Sequence, residues 1–561
     1  MADVVVANGL IEAVEPAGSA PTAHTIRVLD ADGLLLTPGW VDVHTHYDAQ
    51  VSWDPWMTPS SWHGATTVVM GNCGVGFAPV QPDRQEWLIE LMEGVEDIPG
   101  SAMTEGITWN WTSFPEYLDA IAAGSHVLDI GTQIAHGPLR AFVMGDRGAA
   151  NETANAADIT AMADLVEEAL RAGALGFSTS RTPLHKSKGG ELVPGTHAGA
   201  DELMGIGGAI RRAGHGVFQF APEHERLITD EWSWMRELAT FTGQPVCVNL
   251  NQPNKAPDLW RDVLALLDEA AGDQIPLYAQ VAGRSIGILY CLHGSVHPLL
   301  FHPAYGEVAH LAMPQRLAAL SEPERRRRLI HDVPNDGGLF DAVVTSKFAV
   351  TYPVDGANID YEPDASASVA VLAASRGIPP MQLLVDHMTA NDGTGMIYAP
   401  FFNYAYGDLS MTYEATRHPR TRMGLSDAGA HCGAICDGGM PTFMLTHWTR
   451  DRTRGPLLGL EYVINRQTRQ TAQLYGLHDR GLIAPGQRAD LNLIDYDALS
   501  FDIPSMAFDL PAGGRRLVQR AHGYKATFVA GTQTVDHDEF TGALPGALIR
   551  GPQRRHQPSL R

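Results

Sequence analysis

The sequence predicts an α/β chain built on a (β/α)8 TIM-like barrel. Three observations point there. Short apolar, β-branched runs alternate with longer segments of helical period from about residue 36 onward, eight such runs can be counted, and no Gly-rich phosphate loop follows any of them. Alternating strands and helices imply a parallel sheet, and eight repeats imply closure; the missing phosphate loop argues against an open doubly wound sheet.

The strands read in order as "TPGWVDVHTH", "ATTVVMGNCG", "VLDIGTQIAHG", "GALGFSTS", "GHGVFQF", "QPVCVNLN", "PLYAQVAG" and "RTRMGLSDAG". Between them lie helical stretches such as 158 to 172, where Ile159, Met162, Leu165, Val166 and Leu170 share one face, and 258 to 269. The barrel is expected over residues 37 to 481. "DVVVANGLIEAVEP" and "TIRVLDADG" precede it, and "LIAPGQRADLNLIDYD" and "ATFVAGTQTV" follow it, so residues 1 to 36 and 482 to 540 are expected to form a small β-sandwich from both ends of the chain. The stretch from about 284 to 380 is too long for one connection and carries its own helices, including 314 to 330, which predicts an inserted cap over the barrel mouth.

Lys plus Arg number 40 against 64 Asp plus Glu, a formal charge of −24 that repels phosphate backbones and anionic membranes. The expected partner is therefore a small molecule, with neither nucleic acid nor membrane. The one basic run, "EPERRRRLIHD", sits among acidic neighbours and reads as a solvated helix face or a carboxylate clamp. The start lacks a signal-type apolar core and no run of 18 uncharged apolar residues occurs, so a cytoplasmic location is expected. The five cysteines show neither disulfide nor zinc-ribbon spacing. The barrel exterior and the cap offer faces for a homo-oligomer.

In a strand, residues i and i+2 face the same way, so His44 and His46 in "VDVHTHYDAQ" project together at the C-terminal end of the first strand, where barrel enzymes place their active sites. Neutral imidazole is a preferred zinc ligand; two hydrogen-bonded core histidines are the competing reading. Cys73 stands where the second strand runs out, between glycines, as a thiolate ligand or a buried structural cysteine. Asp427 ends the eighth strand, able to bind a metal and move a proton, or simply to cap a helix.

Together "TPGWVDVHTHYD", "GATTVVMGNCGVGFAP", "LSDAGAH" and "DRGLIAPGQRADL" resemble the amidohydrolase superfamily, in particular its N-acyl-D-amino-acid deacylase (D-aminoacylase) branch, over residues 30 to about 500 and least over the cap. The resemblance implies zinc-dependent hydrolysis of a non-peptide amide C–N bond. It implies His44 and His46 as zinc ligands, Cys73 as a further ligand where many relatives use a carboxylated lysine, and Asp427 as ligand and general acid/base. "IAHGPLRAFVMG" is similar to the third-strand region of the branch, which makes His136 a polar wall residue for the transition-state oxygen; a core histidine is the alternative. For a substrate carboxylate the nearest cation by position is Arg181 in "GFSTSRTP", which an exposed loop arginine would also explain.

The sequence departs from the branch at strands five and six, which are expected to supply one histidine each and here read "GVFQFAPEHER" and "VCVNLNQPN". His224 would substitute only through a shifted loop, and Asn251 or Gln252 only as weak amide-oxygen ligands. About one zinc per chain is therefore expected, held by His44, His46, Asp427 and Cys73. The start is also shorter than the branch usually shows. Two other readings stay open: hydrolysis of a cyclic amide or specialised metabolite, and a metal-poor, deacylase-like small-molecule binding protein, for which the missing histidines argue and the intact His44, His46, Cys73 and Asp427 do not.

Overall fold

A computed structural model describes residues 2–20, 27–334, 347–356 and 358–556. All eight anticipated runs are strands: β1 (Trp40–Asp42), β2 (Ala65–Met70), β3 (Asp129–Thr132, continued as Ile134–Ala135), β4 (Gly176–Ser180), β5 (Val217–Ala221), β6 (Val246–Asn249), β7 (Leu277–Val281) and β8 (Thr421–Met423). Every neighbouring pair is parallel. β1 to β2 to the first half of β3 form one sheet, and the second half of β3 through β7 to β8 form another. Between β1 and β8, Thr45 and Ala428 make a parallel bridge, with His46 N–H donating to the Ala428 carbonyl at 2.8 Å.

The strands are buried on both faces, which is why they read as nearly continuous apolar runs. Helices between them follow the sequence pattern. α1 (Gln85–Glu96) buries Leu88, Leu91, Met92 and Val95; α2 (Ala156–Ala172) buries Met162, Val166 and Leu170 and starts at a capping box of Asn155 and Asp158; α3 (Ala200–Ala213) packs on α2.

The segment after β7 carries an antiparallel sheet of its own, in which Ile286–Tyr290 pairs with Ile397–Phe402, so this unit runs past residue 380. Its apolar cluster, including Leu299, Leu320, Leu329, Leu384 and Met388, is separate from the main core. The helix expected at 314 to 330 is two helices, Met313–Leu320 and Pro323–His331, because Pro323 has no N–H to continue the first and instead opens the second. The basic run is neutralised locally: Arg325 and Arg328 pair with Glu307, Arg327 with Glu324 and Arg326 with Asp386.

At the chain ends, Leu35–Pro38 pairs antiparallel with Leu491–Ile494, which joins Tyr524–Val529, Thr532–Asp536 and Glu539–Phe540 in a five-stranded sheet. "DVVVANGLIEAVEP" folds as a hairpin, Ala2–Ala7 against Leu10–Pro16, turning at Asn8 and Gly9, both at positive φ. The strand expected at 25 to 33 is not formed over residues 27–33; residues 21–26 lie outside the described residues. Among the described residues no helix is long and apolar enough to cross a membrane.

Candidate metal centre

The site begins where β1 and β2 end. Beyond β1 the chain stays extended: Thr45 N–H donates to the Val69 carbonyl at 3.1 Å and Asp427 N–H to the His44 carbonyl at 3.2 Å. His44 and His46 thereby lie between β2 and the segment after β8, and alternation turns both rings the same way. Past β2, "GNCG" makes a tight turn. Gly71 (φ +78) leaves no room for a Cβ, which would stand 2.2 Å from the Gln133 carbonyl oxygen; at Gly74 (φ +74) it would meet Ser180 N at 2.7 Å. Asn72 ties the turn to the Thr45 and Val69 carbonyls, and Cys73 is left in the left-handed region with its thiol pointing at His44.

The result is a buried trio. Ligand atoms of His44, His46 and Cys73 all lie within 4.8 Å of one another. Cys73 Sγ is 3.3 Å from His44 Nε2. Asp427 closes the group from the eighth strand, its Oδ1 3.2 Å from His44 Nε2 and 3.6 Å from His46 Nε2. Leu425, Asp427 and His431 all have φ between +47 and +59, and such backbone persists only where the surroundings hold it.

The electrostatics suit a cation. Burial, together with the His46 charge, pushes His44 down to about 4, so its ring is neutral. Its Nδ1–H donates to Gln280 Oε1 at 2.6 Å, leaving the Nε2 lone pair facing the thiol and Asp427. Burial opposes charge on His46, but Glu96 facing it lifts its pKa well above the ordinary value. Burial alone would raise Asp427; the His46 hydrogen bond and both imidazoles hold its carboxyl below the usual range instead. Burial pushes the Cys73 thiol up to about 11, a cost that a bound divalent cation reverses by stabilising thiolate. Two imidazoles, a thiol and a carboxylate in this dry setting fit zinc.

Strands five and six contribute amides. Gln219 Oε1 accepts from Cys73 N at 3.0 Å, Gln219 Nε2 donates to Asn249 Oδ1 at 2.9 Å, and Asn249 Nδ2 points at the Cys73 sulfur from 3.7 Å. These two residues, with Glu96, Gln280 and His431, were missed by the sequence reading. Gln219 and Gln280 had a signal, each being the lone polar side chain inside an apolar run, Asn249 shares its run with Asn251, and His431 ends the "LSDAGAH" stretch; Glu96 had none. The substitutes weighed from sequence lie elsewhere: the His224 ring packs edge-on against Phe402, while Asn251 and Gln252 are engaged by Asn403 and Ala405.

Two expected residues have other partners. His136 accepts from Thr179 Oγ1 through Nδ1 and donates to Glu202 Oε1 through Nε2, both at 2.8 Å, so neither nitrogen is left for a substrate oxygen. Arg181 pairs with Glu231 at 3.2 Å and donates to the carbonyls of Gly195 and Ala198, a brace for the loop after β4.

Fold and donor set first define a class: an α/β protein with side chains able to hold a metal gathered at the C-terminal ends of parallel strands. The chain belongs to the amidohydrolase family, whose model matches residues 27–535, and its relatives place it in the D-aminoacylase branch. It is 26% identical to N-acyl-D-aspartate deacylase of Alcaligenes xylosoxydans xylosoxydans over 98% of this chain and 91% of that one. Among solved structures, a D-aminoacylase studied for its binuclear metal centre superposes with a TM-score of 0.64 at 23% identity, covering 98% of this chain and 96% of the other. N-acyl-D-glutamate deacylase from Bordetella bronchiseptica, complexed with zinc and a phosphonate inhibitor, gives 0.62 at 22% identity, covering 98% and 95%.

Proposed function

We propose that this chain is a zinc-dependent hydrolase of a non-peptide amide C–N bond, acting on N-acyl-D-amino acids or close analogues and using one zinc per chain. The observation that carries this reading is the buried trio His44, His46 and Cys73 with Asp427 against it. In the same reading the two parallel sheets form one closed (β/α)8 barrel over residues 37–481, the terminal strands of 1–36 and 482–540 a small sandwich, and the segment from about 284 a cap; the Thr45 to Ala428 bridge supports closure.

Zinc held by His44, His46, Asp427 and Cys73 would supply Lewis acidity toward an amide carbonyl and toward water. The protein's own part is protonic and positional. Asp427, ionised at neutral pH and 13% exposed, takes a proton from the attacking water and returns it to the leaving nitrogen. Gln280 keeps His44 in the tautomer that presents Nε2, and Gln219 with Asn249 holds Cys73 in place through its amide and sulfur. With those two amides standing beside Cys73, a second strong metal position lacks donors, which supports a count of one.

Elemental analysis of protein purified without chelator, paired with turnover of a panel of N-acyl-D-amino acids before and after chelation, tests the proposal. About one zinc per chain with activity lost on chelation and regained with zinc is the expected result; no tightly held metal after zinc is offered would overturn it.

A further inference from the structure

Against His46 lies a residue outside the expected ligand set. Glu96 is the last residue of α1 and is buried to 1% exposure, unusual for a carboxylate. One oxygen, Oε1, lies 3.3 Å from His46 Nδ1, and the other, Oε2, lies 3.6 Å from His431 Nε2. Among the described residues His46 Nδ1 has no hydrogen-bond partner, and Glu96 is the acceptor placed beside it. His431 sits four residues beyond Asp427, in the left-handed region.

The backbone around Glu96 makes the same connection. His431 N–H donates to the Glu96 carbonyl; the neighbouring Asp97 (φ +53) accepts from Gly433 N at 3.0 Å and from Ser295 Oγ, and Leu517 N–H reaches the Cys432 carbonyl at 2.6 Å. The end of α1 therefore grips residues 431–433 through main chain and side chain together. A buried carboxylate aimed at the outer nitrogen of a ligand imidazole fixes the ring's tautomer and raises its basicity. Glu96 has that place for His46, and by the same side chain it holds His431.

We infer that Glu96 is a positioning residue that couples His46 to His431, so that the His46 tautomer competent to bind metal and the placement of His431 are set by one carboxylate. This rests on the metal site proposed above. With Nδ1–H directed at Oε1, His46 Nε2 is the nitrogen turned toward Asp427 and the trio, where a bound metal would replace its proton; through Oε2 the same carboxylate holds His431.

The test is zinc affinity of the full chain by chelator competition, together with the visible spectrum of the cobalt form, for the parent, Glu96→Gln and Glu96→Asp. Expected are a fall in zinc affinity of about 10- to 100-fold in Glu96→Gln with an altered cobalt spectrum, and a smaller fall in Glu96→Asp, which keeps the charge and withdraws it by one methylene. A residue that only supports the fold would lower Tm and leave affinity and spectrum as in the parent, and that result overturns the inference. Should Glu96→Gln not fold, parent-like affinity in Glu96→Asp overturns it equally. A parent chain that binds no zinc removes the metal site and this coupling together, whereas a zinc-binding parent with indifferent variants removes the coupling alone.

Discussion

Gln280 Oε1 stands 2.6 Å from His44 Nδ1 and links the seventh strand to the histidine pair at the end of the first. Because an amide oxygen can only accept, it fixes His44 as the Nδ1–H tautomer and frees Nε2 for a metal. Burial holds His44 neutral, so in the proposed site it would take a metal without first losing a proton.

Gln280→Leu is expected to weaken zinc binding by about tenfold, or about 1.4 kcal/mol, since the tautomer is then no longer imposed. Chelator competition on the folded variant reads this directly. An unchanged affinity would mean that Cys73 and Asp427 alone orient the ring.

Asp427→Asn keeps the side chain's shape and removes its basicity. Turnover should fall by about 10²- to 10⁴-fold while thermal unfolding stays near that of the parent. Steady-state kinetics on zinc-loaded protein, alongside a melting curve, checks both halves; retained turnover would remove Asp427 as the group that moves the proton.

Paired substitution Gln219→His with Asn249→His places two imidazoles beside Cys73, on adjacent strands. Zinc content should rise from about one to about two per chain, since the thiol then gains two nitrogen donors. Elemental analysis decides it. An unchanged count would show that the amides are not what limits the metal number.

Glu202 carries a pH dependence that can be worked out in sign. Burial opposes its charge, but hydrogen bonds from His136 and Arg140 hold its carboxyl down to about 2, below the ordinary 4.5. A group depressed in the folded state adds stability above its unfolded pKa and loses it as pH falls through the folded one. Tm should therefore drop between pH 4.5 and about 2, and Glu202→Gln should flatten that part of the slope. At neutral pH the same change should cost about 3 kcal/mol, because Arg140 is left buried without its partner. A parent whose Tm is level across this window would refute the assignment.

Much of this molecule was legible in the chain. The eight runs became eight parallel strands because strands buried on both faces need continuous apolar text, and α2 and α4 (Leu259–Gly272) were visible in their helical period. His44, His46 and Cys73 were legible because each stands at a strand end, where period-two alternation and a glycine turn fix direction. The break at Pro323 had a local signal too, a proline within a helical pattern, which the long periodic stretch obscured.

What the sequence alone determined is the inventory of the eight parallel strands: that they exist, which residue types stand at their ends, and that the fifth and sixth offer no histidine. Only the tertiary structure decided which side chains meet. His136 and Arg181 occupy suggestive positions in the text, yet buried carboxylates from distant helices, Glu202 and Glu231, take up their donors. Glu96 is silent in the sequence and central in the fold, because its place beside His46 and His431 depends on how the end of α1 packs against segments 50 and 335 residues away. Local periodicity records direction along an element; partnership between elements is settled by burial, where every charge must find an opposite and every donor an acceptor.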